Sequence, residues 1–198
     1  MGLLILFLVA GMVFLLQPSA QVSSFQKWQY PASAKTASSS MLTVKFFGVS
    51  TLLFDNDKTQ ILIDGFFSRP SLSQVLFHKI QSQPEMIQLI IQQQHLHRTQ
   101  AILVTHSHYD HALDIAELGK QLTNTKIIGS NSTLNIARGG RVAEQQLIQV
   151  QPFEPMNFAE FKVTAIPSQY TQPTTVNNDL GEEISRPLPQ PTRFSEFK

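Results

Sequence analysis

Three of the chain's six histidines fall in one short run, His106-Ser107-His108-Tyr109-Asp110-His111, together with an aspartate. Neutral imidazoles and a carboxylate are the nitrogen and oxygen donors that a borderline cation such as zinc accepts, and an open catalytic site needs about three of them per metal plus water. The run follows the apolar stretch Ala101-Ile102-Leu103-Val104-Thr105. From the end of such a strand, residues two apart point the same way, so His106 and His108 can close on one cation. Asp110 and His111 stand where the chain turns into a helix suggested by Ala112-Leu113-Asp114-Ile115-Ala116-Glu117-Leu118, and can face a second. The competing reading is a polar loop whose histidines cap a helix or stay solvated; the density of the cluster behind a buried-strand signature favours a site.

The elements that must position these residues are legible around them. Met41 to Phe47 and Ser50 to Phe54 read as strands separated by Gly48, and Asp55-Asn56-Asp57-Lys58 turns the chain into a third strand, Thr59-Gln60-Ile61-Leu62-Ile63. Residues 71–83 and 84–97 carry apolar positions at helical spacing, with Pro84 suited to a first turn. His95 and His97 repeat the metal spacing, but on a helix residues two apart diverge by about 200°, so they read as a solvated helix end. Beyond the run, Lys126 to Gly129 predicts a strand, Ser132 to Ala137 a short helix, Leu147 to Val150 a strand, and Phe158 to Ile166 a last one. Gly139-Gly140 reads as a turn rather than an anion cradle.

The context Val104-Thr105-His106-Ser107-His108-Tyr109-Asp110-His111 resembles the H-x-H-x-D-H signature of the metallo-β-lactamase superfamily. Upstream, the strand ending in Asp64-Gly65 is similar to that family's first motif, in which an aspartate supports the metal-binding loop. The resemblance covers residues 41–198 and is nearest to simple hydrolases related to the ascorbate-lactonase-like proteins. It implies a four-layer αββα sandwich, of which this chain supplies the first half to two-thirds. It further implies two metals, most often zinc: His106 and His108 would serve the first, Asp110 and His111 the second. Asp64 would hold the loop, and Asp110 would also bind the attacking water. The reaction implied is hydrolysis of a small-molecule ester, lactone or phosphodiester by a metal-activated water.

Two departures from the family pattern qualify that expectation. Where the third motif delivers a histidine to the first metal, in a context similar to Ile166-Pro167-Ser168-Gln169, this chain has Tyr170, a phenol and a poorer ligand. No histidine follows His111, and Asp179 sits in a turn-like Asn177-Asn178-Asp179-Leu180-Gly181. The resemblance therefore implies a chain truncated at its C-terminus, with weak metal binding and impaired activity. A half-sandwich would leave one sheet face and edge uncovered, which suggests a non-enzymatic remnant that associates through that sheet as the alternative.

Composition narrows the rest. With 198 residues, 42% of them hydrophobic and 15% charged, the chain can bury a core. A net charge of +1 offers nothing to nucleic acid, and a relative acting on RNA would need a basic cleft. Without cysteine there is no disulfide, thiolate nucleophile or sulfur-bound zinc. Residues 3–16 form an uncharged apolar run, shorter than the roughly twenty residues of a full span, which reads as a signal peptide or membrane anchor within residues 1–20. Residues 21–40 read as a flexible linker, and the domain begins at residue 41. The expected location is exported, periplasmic or extracellular, or membrane-anchored.

Overall fold

A computed structural model of the chain describes Gly11, residues 42–168 and residues 182–197. All that follows concerns the unit Ser40–Lys198. The expectations for residues 1–40, apart from Gly11, and those for Tyr170 and Asp179 lie outside the described residues.

Strands β1 (Thr43–Gly48), β2 (Thr51–Asp55) and β3 (Gln60–Ile63) form the expected antiparallel meander. Next come helices α1 (Leu72–Phe77) and α2 (Pro84–Gln94), and strand β4 (Thr99–Leu103) pairs parallel to β3. The helix expected over residues 71–83 is therefore short. Ser71 starts it with a capping box, but Ile80 then leaves to pair with Thr192, and both backbone hydrogen bonds of that bridge form (2.7 and 3.0 Å). Pro84 opens α2 as expected, and the helix stops at Gln94 because His95 adopts a left-handed conformation (φ 54°).

Helices α3 (Tyr109–Ala112) and α4 (Ile115–Gln121) lead to β5 (Lys126–Gly129), helix α5 (Asn131–Gly139) and β6 (Leu147–Gln149). Strands β4, β5 and β6 run parallel, completing a mixed six-stranded sheet in the order β1 to β6. The final strand is half of a hairpin, β7 (Pro155–Phe158) with β8 (Phe161–Thr164). The single strand expected over Phe158 to Ile166 is thus divided: Phe158 ends the first arm, Ala159-Glu160 turns the chain, and the second arm runs only to Thr164.

Because side chains alternate along strands, the sheet has two faces of different chemistry. Leu53, Leu62, Ile102 and Ile127 point to the helices and are fully buried with Ile87 and Ile91 of α2, Ile115 and Leu118 of α4 and Ile136 of α5. Residues 182–197 strap this layer from outside: Asn135 Nδ2 donates to the Ile184 carbonyl (2.6 Å), the Leu188 amide to Asn135 (2.9 Å) and Gln190 to Leu113 (2.8 Å). The opposite face carries Phe54, Ile61, Ile63, Ala101, Leu103, Ile128 and Ile148, on which Met156, Phe158 and Phe161 of the hairpin pack. The uncovered face expected of a half-sandwich is thus partly covered. Its edge is open, since Val44 and Phe46 pair with Phe54 and Leu52 on this same side and remain 50% and 67% exposed. The layers run helices, mixed sheet, hairpin, as the resemblance implies for the first part of the sandwich.

Candidate metal centre

Parallel strands β3 and β4 end side by side, and the candidate residues project from their carboxyl ends, where open α/β sheets commonly place ligands. The ladder continues one step past each strand, with the Asp64 amide donating to Leu103 (2.9 Å) and the Val104 amide to Ile128 (2.9 Å). Asp64 then takes a positive φ of 58° and Gly65 one of 98°, turning the chain sharply while the Asp64 carboxylate stays fully buried. That conformation is uncommon for an aspartate and is held by what the side chain binds. The carboxylate accepts from the Thr105 amide (2.7 Å), the Thr105 hydroxyl (3.0 Å), the Ser50 hydroxyl and His111 Nδ1 (2.8 Å). Burial pushes its pKa up, but the hydrogen bonds from His111, Ser50 and Thr105 bring it below the ordinary carboxylate value. Asp64 is therefore an anion at neutral pH.

An ionised carboxylate must accept, so His111 Nδ1 carries the proton and donates; in the neutral ring the lone pair is then on Nε2. That nitrogen lies 3.8 Å from Asp110 Oδ2. The His106 ring sits against His111 with centroids 3.7 Å apart and meets His108 edge to face at 4.6 Å. The His106 pKa is lowered to about 4, first by burial and then by the neighbouring His111 and His108, so it is a neutral imidazole at pH 7, with Thr105 Oγ1 3.2 Å from its Nδ1. His106 occupies irregular chain after β4 rather than a strand, and His108 is the N-cap residue of α3, whose first turn holds Asp110. The short helix lets Asp110 and His111 follow His108 around one corner.

The fold thus brings together Asp64, His106, His108, Asp110 and His111. Among the described residues, however, no group of three or more His, Asp or Glu side chains is arranged as a set that could hold a metal ion. The donor types and the carboxylate behind His111 suit zinc.

Three participants were not singled out in the sequence. Ser50 touches both Asp64 and His111 Nδ1 (2.8 Å), and is delivered by a tight turn in which Gly48 (φ 96°) and Val49 (φ 54°) both take left-handed conformations. Thr105 bonds Asp64 twice and approaches His111 Nδ1 at 3.1 Å. Asp114 is fully buried and accepts from the amides of Phe67 and Ser68 (both 2.7 Å) and the hydroxyls of Ser68 (2.5 Å) and Ser82 (2.6 Å). Burial pushes the Asp114 carboxyl up while these four donors counter it. It ties the chain beyond Gly65, and the approach to α2, to the helices that follow the histidine run. A carboxylate three residues after His111, inside an otherwise apolar helical pattern, was the available signal.

Beside the histidines lies a cavity of about 770 Å³ between the sheet and the hairpin. Its walls include Ile63, Leu103 and Ile128 from the sheet and Met156 and Val163 from the hairpin, and His106 and His108 contribute to its lining.

A family model described as a beta-lactamase superfamily domain matches residues 59–186. Among solved structures, the chain is similar to Igni18, a metallo hydrolase from Ignicoccus hospitalis KIN4/I, at 19% identity over 59% of this chain and 42% of that one, with a TM-score of 0.36. It is also similar to BJP-1, a subclass B3 metallo-β-lactamase of Bradyrhizobium japonicum, at 18% identity over 59% and 44%, with a TM-score of 0.39. A third is the metallo-β-lactamase GOB-18 from Elizabethkingia meningoseptica, at 17% identity over 59% and 43%, with a TM-score of 0.36. The chain spans less than half the length of each of these structures. No curated protein matches it.

Proposed function

The chain belongs to the metallo-β-lactamase superfamily of hydrolases, and from that premise we propose that it is a zinc-dependent hydrolase with His106 and His108 donating to a first metal and Asp110 and His111 to a second. The observation that carries this reading is the packing of three imidazoles at the ends of β3 and β4, one of them backed by the buried Asp64 carboxylate. Zinc, when bound, acts as a Lewis acid and makes water nucleophilic at neutral pH. The chain's residues supply the rest. Asp64 fixes the tautomer and direction of His111 and strengthens it as a donor; Ser50 and Thr105 hold Asp64 in turn. Asp110, half-buried beside His111, accepts a hydrogen bond from the attacking water. Tyr170 is a weak further ligand in this scheme, which makes binding loose and turnover of an ester, lactone or phosphodiester slow.

Residues 3–16 would target the chain to a membrane as a signal peptide or anchor, followed by a linker to residue 40, placing the hydrolase outside the cytoplasm. Among the described residues no helix is long and apolar enough to cross a membrane.

The test is to load the full chain with zinc, measure metal content and assay carboxylic and phosphoric esters. At least about one zinc per chain is expected, with turnover lost in a His106→Ala/His108→Ala double variant. Asp64→Ala should weaken zinc binding about 10–100-fold while leaving the donors present. Chains holding less than about one zinc and showing no turnover would overturn the enzyme reading.

A second reading, a non-enzymatic module that associates through its sheet, draws on the exposed Val44 and Phe46. It is excluded if sedimentation equilibrium shows a monomer that turns over substrate.

A further inference from the structure

We infer that the strap of residues 182–197 also sets the candidate metal centre: Gln190 and Phe194 are positioning residues that grip helix α3 at its two ends and thereby aim Asp110 and His111. That Asp110 and His111 hold a metal rests on the hydrolase reading, whereas the grip on α3 is made by contacts within the protein.

Helix α3 is a single turn, Tyr109–Ala112. One turn gains too little hydrogen bonding to offset the ordering of its residues, so its place must be fixed from outside. Its first residue, Tyr109, stands between His108 and Asp110, and the Phe194 ring meets the Tyr109 ring edge to face with centroids 6.2 Å apart. Tyr109 also meets Phe66 edge to face at 6.1 Å, which links the strap through one ring to the loop that follows Asp64. At the other end Leu113 caps α3, and its carbonyl, beyond the reach of the helix's own donors, accepts from Gln190 Nε2 (2.8 Å). Gln190 Oε1 accepts in turn from the Ser82 amide (3.0 Å), and Ser82 Oγ donates to Asp114 (2.6 Å), the residue after Leu113. The Gln190 amide group is thus a brace between two backbones. Between the two grips, Thr192 is fixed by both hydrogen bonds of its bridge to Ile80. The strap therefore stands on the segment before α2 and reaches α3 from there. Phe194 is 38% exposed, so it adds little to the buried core. His111 is anchored on one side by its Nδ1 bond to Asp64 (2.8 Å) and on the other by the turn that carries it, so a shift of α3 draws His111 from Asp64 and swings Asp110 with it.

Hydrogen exchange on the metal-free full chain reads the grip directly. The protons to follow are the Ala112 and Leu113 amides, which donate to His108 (2.8 Å) and Tyr109 (3.0 Å), and the His111 Nδ1 proton. In Gln190→Met, which keeps the length of the side chain and removes both hydrogen bonds, and in Phe194→Ala, all three should exchange about tenfold faster. The amides of Ile102 and Ile127 in the sheet should be unchanged, and Phe194→Tyr, which keeps the ring edge, should retain the slow rates. Asn135→Ala, which releases the strap at Ile184 instead, should leave α3 protected. On the same proteins, zinc affinity read by competition with a chromophoric chelator should fall about tenfold in Gln190→Met and Phe194→Ala and hold in the other two. Faster exchange confined to α3 and His111 supports the grip even when the parent chain holds no zinc, and then only the hydrolase reading fails. Unchanged exchange at the three protons overturns the grip whatever the zinc content. Acceleration spread evenly over sheet and helices also overturns it, as does an equal effect of Asn135→Ala, since either makes the strap a fastening for the whole layer. Zinc held as tightly by Gln190→Met and Phe194→Ala as by the parent chain overturns the positioning role and leaves the hydrolase standing.

Discussion

The two faces of the six-stranded sheet are built from alternate residues of the same strands, yet one is sealed and the other is not. On the helix side, Leu53, Leu62, Ile102 and Ile127 are inaccessible, and a strap from residues 182–197 closes the outside of the helices. On the hairpin side, Val44 and Phe46 are exposed and a cavity separates Leu103 and Ile128 from Met156 and Val163. The difference teaches that stability and chemistry are divided between the faces. The helix side supplies the packing that holds Asp64 and the histidine run in place, and the hairpin side leaves space beside them.

Substitutions can break or sharpen that division. The largest effect should come from Ile102→Ala, which empties the sealed face and should cost about 3–5 kcal/mol in denaturant unfolding, near the top of the range for buried aliphatics. A loss below about 1 kcal/mol would show that the helix side relaxes freely and is not the rigid half. Gly139→Ala comes next. A methyl group there would overlap the Leu188 carbonyl, so the strap must lift, and a loss of about 2–3 kcal/mol is expected together with faster proteolysis between residues 182 and 197.

Acid sensitivity should follow the buried Asp55 on the sealed side. Burial pushes its pKa up, but Gln60 Nε2 (2.8 Å), the Asp57 amide (2.8 Å) and Arg98 (2.8 and 3.1 Å) pull it below the ordinary carboxylate value. A carboxylate with a depressed folded-state pKa stabilises above its unfolded value, and that contribution is lost as pH falls through the folded one. Asp55→Asn should therefore cost about 1–2 kcal/mol at pH 7 and flatten the decline of stability below about pH 4. Equal slopes for both proteins in acid urea titrations would remove Asp55 from the account. The smallest effect belongs to the open face, where Phe46→Thr should change stability by no more than about 0.5 kcal/mol. A loss as large as that of Ile102→Ala would mean that the open edge is covered in solution.

Much of this architecture was readable in advance for a local reason. The short apolar runs Leu52-Leu53-Phe54 and Ile127-Ile128 are strand signals that survive because each strand contributes to a buried face. The hairpin's first arm was missed because Pro155 and Asn157 interrupt an apolar pattern that becomes regular only against Phe161 and Val163. The strap was missed for a different reason: its order comes from hydrogen bonds to Asn135, Leu113 and Ile80, partners far away in the chain.

The sequence by itself determined which candidate donors the chain carries. The types and spacing of His106, His108, Asp110 and His111, with Asp64 after an apolar strand, specify which chemistry is available, since ligand character resides in the side chain and spacing follows from the covalent backbone. Only the tertiary structure decided what stands behind and beside those donors. Ser50 and Thr105 converge on Asp64, Asp114 gathers four donors from two loops, and the sheet and hairpin enclose an apolar cavity. Each depends on strands and loops distant in sequence being brought within hydrogen-bond or contact distance, and that proximity exists only when the two faces of the sheet have packed.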